Sequence, residues 1–94
     1  MNTLTQDCKI KINPHVNHSV VDNDLIIMGP EDHVSYRVNA VGMFIWALLE
    51  AKTLGLKEVA LQLQQQYQIT QERALQDTMV FAERMLSKNI LLVA

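Results

Sequence analysis

The run Tyr36-Arg37-Val38-Asn39-Ala40-Val41-Gly42-Met43-Phe44-Ile45-Trp46-Ala47-Leu48-Leu49 constrains this chain more than any other stretch. Val34, Tyr36 and Val38 alternate with polar neighbours, the period of a strand buried on one face. From Val41 onward the apolar residues are too dense to alternate and read as a helix, which holds the only tryptophan of the chain. Asn39 sits where the two periods meet. Asn suits an N-cap, where its side-chain oxygen accepts a hydrogen bond from a backbone amide two or three residues on. Strand and helix are thus joined with almost no loop, and their relative orientation is fixed. A scaffold built on that joint leaves its last strand as an exposed edge.

The remaining elements follow from turns and periodicity. Residues 1–15 have weak periodicity and a helix-incompatible Asn13-Pro14, and read as an extended or mobile N-terminal arm ahead of one domain over residues 16–94. Two apolar runs, residues 16–21 and 25–28, flank Asp22-Asn23-Asp24, whose residue types tolerate the left-handed conformations of a tight turn; the pair reads as a β-hairpin. Gly29-Pro30-Glu31-Asp32 marks a second turn into a third strand at residues 33–38. The first half is therefore a three-stranded antiparallel meander. The second half is helical. A first helix covers residues 41–51. A second covers residues 56–67, where Leu56, Val59, Ala60, Leu63 and Tyr67 form one stripe. Thr70 caps a third, with Glu72 in its first turn favoured by the helix dipole. That helix ends near Lys88, where Asn89 supplies a left-handed cap. Its apolar arc from Ala74 to Leu86 is wider than contact with a small core requires, so one edge of it faces something else. Residues 90–93 pack back as a short strand. The fold class is α+β, a three-stranded antiparallel sheet followed by a three-helix bundle.

Composition narrows the function. At 94 residues and 49% hydrophobic content the chain can bury a core of its own. Residues 1–50 carry 3 basic and 6 acidic side chains and residues 51–94 carry 5 and 4, so no half is strongly basic, against a nucleic-acid partner. The lone Cys8, the absence of a signal-peptide layout in residues 1–7 and the lack of a long apolar run point to a reduced, cytoplasmic protein with no membrane partner. Chemistry is hard to find. His15, His18 and Cys8 fall short of the four ligands of a structural zinc site. No glycine-rich phosphate loop exists, and the carboxylates are scattered. The expectation is a protein that is not an enzyme, with no catalytic residues, no metal and no cofactor. Strand–helix–helix–helix order also raises a winged-helix DNA-binding reading, but the third helix carries Glu72, Arg73, Asp77, Glu83, Arg84 and Lys88, which sum to zero where a recognition helix needs a basic face.

Two patterns taken together resemble a known family. Asp24-Leu25-Ile26-Ile27-Met28, then Tyr36-Arg37-Val38-Asn39-x-x-Gly42-x-x-Ile45-Trp46-x-x-Leu49, is similar to the signature of the PqqD family: pyrroloquinoline quinone biosynthesis protein D and its relatives, the recognition elements for ribosomally made, post-translationally modified peptides. Glu58 through Tyr67, then Asp77-x-x-x-Phe81-x-x-x-Met85 closing on Asn89-Ile90-Leu91, fits as well. The match spans about residues 16–93. Asn89 stands where the family tends to have Gly, and Val38 where Leu is usual.

The resemblance implies a winged-helix-like peptide chaperone. It would bind the leader segment of a precursor peptide as an added strand on the third strand, beside the third helix, and present it to a modifying enzyme: a radical SAM enzyme, a cyclodehydratase, a dehydratase or a leader protease. An open sheet edge recruits extended peptides on physical grounds too. Four or five main-chain hydrogen bonds at a net ~1 kcal/mol each give about 4–5 kcal/mol. Micromolar affinity needs about 8 kcal/mol, so side-chain pockets must supply the balance. The expected contacts are Val34, Ser35, Tyr36 and Arg37 on the strand, with the Val34 amide as a donor to the ligand, and Asp77, Val80, Phe81 and Arg84 on the helix. Two other readings remain: an oligomerising subunit, as a homodimer or larger assembly with no peptide ligand, and the winged-helix regulator.

Overall fold

A computed structural model describes residues 5, 7–30 and 34–94. In chain order the elements are β1 (Lys9–Ile12), β2 (Asn17–Val21), β3 (Asp24–Met28), β4 (Ser35–Val38), α1 (Ala40–Ala51), β5 (Leu54–Gly55), α2 (Leu56–Tyr67), α3 (Gln71–Ser87) and β6 (Leu91–Val93). The first part of the expected arm, the Glu31-Asp32 end of the second turn and His33 at the start of the expected third strand lie outside the described residues.

Among the described residues the strands form two antiparallel three-stranded sheets, not one. The meander expected from the sequence is the sheet β2-β3-β4. Its hairpin turns on Asp22 and Asn23, with φ of 52° and 69°. Two successive left-handed residues make the turn whose twist suits a two-residue hairpin, and Asp and Asn adopt that conformation at low cost. The second sheet has the order β5-β1-β6. It corrects the reading of residues 1–15 as an arm: Lys9–Ile12 is a central strand. Ile10, fully buried, pairs with Leu54 on one side and Val93 on the other. The Asn13 amide donates to Ile90 O (3.0 Å) and its side chain to Asn89 O (2.8 Å). The start of the domain is thereby tied to its end.

The helices begin and stop for local reasons. Asn39 accepts from the Gly42 amide at 2.9 Å and caps α1. Thr70 accepts from the Arg73 amide at 3.1 Å and caps α3. At the end of α3, Asn89 has φ 59°, its amide donates to Leu86 O (3.1 Å), and the Ile90 amide donates to Met85 O (3.0 Å). These are the paired bonds of a Schellman ending, and the accompanying apolar residue is the buried Ile90. In α2 the stripe Leu56, Val59, Ala60 and Leu63 is buried, whereas Tyr67 is exposed and stacks edge-on to Phe44. The core side of α3 is Ala74, Thr78, Ala82 and Met85. Thr78 is buried because its hydroxyl donates to Ala74 O at 2.8 Å. The rest of the wide arc, Leu75, Met79, Phe81 and Leu86, is only half-buried. Trp46 is in the core, with the His18 ring against it edge-on at 5.4 Å. Among the described residues no helix is long and apolar enough to cross a membrane.

Candidate functional site

β4 is the outer strand of its sheet, and among the described residues nothing pairs with it on the far side. Which of its backbone groups face that open side follows from the register. Val21 and Asp24 flank a two-residue turn and form a hydrogen-bonded pair, so on β3 the residues Asp24, Ile26 and Met28 bond toward β2. Leu25 and Ile27 then bond toward β4, to their partners Val38 and Tyr36. The Gly29 amide donates to Val34 O at 3.0 Å, in the same phase. Tyr36 and Val38 therefore spend their main-chain groups on β3, Val34 faces Gly29 in the same phase, and the main-chain groups of Ser35 and Arg37 point outward. This corrects the expectation that the Val34 amide faces a ligand.

Beyond that edge lies α3, and between them runs a groove of about 500 Å³. Its helix wall is one stripe, Arg73, Gln76, Asp77, Val80, Phe81 and Arg84, spaced at three and four residues. Its other wall and floor come from Arg37, Val38, Asn39, Val41 and Gly42, with Met85 at depth. Gly42 is what lets Phe81 lie this close: a Cβ there would meet a Val38 methyl and the Phe81 ring. The groove thus exists because the strand-to-helix joint passes under an aromatic side chain.

Of the eight contacts expected from the sequence, Arg37, Asp77, Val80, Phe81 and Arg84 line this groove, whereas Val34, Ser35 and Tyr36 do not. Val34 is exposed. Ser35 offers the edge its main chain. Tyr36 is half-buried beneath Lys88, whose Nζ lies 4.5 Å from the ring centroid. The sequence did not mark Val38, Asn39, Val41, Gly42, Arg73, Gln76 or Met85 as groove residues. The helical spacing of Asp77, Val80, Phe81 and Arg84, extended back one turn, would have found Arg73 and Gln76. Val41 had no such signal, because it reads as one more apolar residue of α1.

The groove's ionic groups are mostly matched. Arg73 Nε is 3.5 Å from Asp77, and Arg37 Nε is 3.6 Å from Asp24. Both pairs are substantially exposed, so each contributes little to stability. Among the described residues, no three His, Cys, Asp or Glu side chains converge as a metal site requires. His18 instead lies 3.6 Å from Glu50. Cys8 is partly exposed beside the Thr5 hydroxyl, whose hydrogen bond holds the thiol below its ordinary pKa.

The family model described as coenzyme PQQ synthesis protein D (PqqD) matches residues 24–91. Among curated proteins, none matches the chain. Two solved structures share its fold. TbiB1 in complex with the TbiA(beta) leader peptide superposes with a TM-score of 0.77 at 22% identity, over 86% of this chain and 93% of that one. Lasso peptide synthetase B1 complexed with the leader peptide gives 0.74 at 15% identity, over 88% and 96%.

Proposed function

The chain belongs to the PqqD family, and from that premise we propose that it binds the leader segment of a ribosomally made precursor peptide. The segment joins β4 as a further strand and lays alternate side chains into the groove against α3. The observation that carries this reading is the outward main chain of Ser35 and Arg37 beside a ready-made groove. Both structural relatives were solved with leader peptides, which supports it. Two N–H and two C=O groups give up to four hydrogen bonds, at about 1 kcal/mol net each. They orient the peptide, and the groove must supply the other half of a micromolar affinity.

In this reading the protein does no chemistry of its own. It presents the peptide to a modifying enzyme or leader protease in the cytoplasm. A second reading, homodimerisation, has one observation in its favour: β2 is also an outer strand, with Val20 and Val21 exposed. Light scattering across a concentration series distinguishes a dimer from a monomer.

Binding is tested with peptides taken from short open reading frames beside the gene, followed by fluorescence anisotropy. Ser35→Pro deletes an edge-facing donor but no ladder bond, and proline is tolerated there. The expected outcome is a folded variant with at least fivefold weaker binding, about 1 kcal/mol. Unchanged affinity in a folded Ser35→Pro protein contradicts strand addition at β4.

A further inference from the structure

Within the groove, Arg84 stands apart. Arg37 and Arg73 each face a carboxylate of this chain, Asp24 and Asp77. On its own helix, Arg84's neighbours at three and four residues are Val80, Phe81, Ser87 and Lys88, none of them acidic. Among the described residues no carboxylate lies within ion-pair distance of it. One turn on, Lys88 adds a second positive charge over Tyr36. The end of the groove nearest Tyr36 is therefore cationic on a chain whose net charge is −2.

We infer that the peptide taken by this groove carries an acidic side chain that pairs with Arg84, two residues from a bulky apolar side chain that packs on Phe81. This rests on the leader-binding reading and narrows it to a substrate class. The spacing follows from geometry. Phe81 and Arg84 are three apart on a helix, which puts their Cβ atoms roughly 5–6 Å apart. Side chains on one face of a strand recur every second residue, about 6.6 Å. One intervening residue matches the two positions, whereas adjacent residues would point to opposite faces.

The order follows from direction. Tyr36 in β4 lies by Lys88 at the end of α3, and Gly42, just past β4, lies by Phe81. β4 thus runs opposite to α3. Every pair in its sheet is antiparallel. A peptide added in the same manner runs with α3, passes Phe81 first and Arg84 second, and reads apolar-x-acidic. A phosphate or nucleic-acid ligand is disfavoured by Asp77, which lines the same wall.

The test is a random-peptide display selection on the full chain, run in parallel on Arg84→Glu and Ser35→Pro. Arg84 is exposed, so its substitution leaves the fold intact. Selection on the unmodified chain is expected to enrich apolar-x-acidic peptides. Their affinity falls about three- to tenfold on Arg84→Glu, and replacing the acidic residue by Lys restores it there. Peptides that need Ser35 but show no acidic preference and bind Arg84→Glu equally well overturn the inference and leave leader binding standing. No enrichment, or binding indifferent to Ser35→Pro, overturns both.

Discussion

At the scale of single residues, the joint between β4 and α1 rests on two that do different work. Asn39 caps the helix through the Gly42 amide, a role legible in the sequence because residue type and position together specify it. Gly42 is required for space: its Cβ-less face admits Val38 and Phe81. Gly42→Ala sets about 1–3 kcal/mol of overpacking against the ~1 kcal/mol by which alanine is favoured over glycine inside a helix. Overpacking wins because Val38 is a buried, β-branched residue with nowhere to turn. The expected result is a lower urea midpoint together with weaker peptide binding as Phe81 is displaced into the groove. That Gly42 faces Phe81 was not readable from the sequence, since Phe81 lies 39 residues further on and nothing local links the two.

At the scale of elements, the meander, the hairpin turn and the three helices were legible because each is specified by neighbours in sequence: Asp22-Asn23 for the turn, the stripe of Leu56 to Leu63 for α2, Thr70 and Asn89 for the ends of α3. The second sheet was not. Lys9-Ile10-Lys11-Ile12 does alternate, but no segment adjacent in sequence pairs with it through a turn. What makes it one is pairing with Leu54 and with Leu91 to Val93, far along the chain. The consequence is measurable. Ile10→Ala removes a fully buried side chain and should cost about 2–5 kcal/mol in urea-induced unfolding. A loss below about 0.5 kcal/mol, the range of ordinary surface changes, would mean that β1 contributes as little as a loose arm.

At the scale of the whole molecule, the groove belongs to no single segment. β4 supplies an edge, α3 a wall and α1 a floor, and the core beneath holds them at one spacing. Trp46 and Ile45 of α1 and Ile27 of β3, all buried, belong to that core. The site was therefore only half visible in the sequence. Helical and strand periods nominated Arg37, Phe81 and Arg84 as residues on the correct elements. They did not reveal which main-chain groups of β4 look outward, because that phase depends on how β3 pairs with β2 through the Asp22-Asn23 turn. The register resolves it in favour of Ser35 and Arg37, and the central claim depends on that resolution.

Residue-resolved amide hydrogen exchange, with and without a saturating display-selected peptide, tests it most directly. In the free protein the Ser35 and Arg37 amides should exchange fast while Tyr36 and Val38, bonded to β3, are protected. With peptide bound, Ser35 and Arg37 should become protected at least tenfold, with Tyr36 and Val38 little changed. Protection that appears instead on β2 or α2, with Ser35 and Arg37 still exchanging freely, would contradict strand addition at β4.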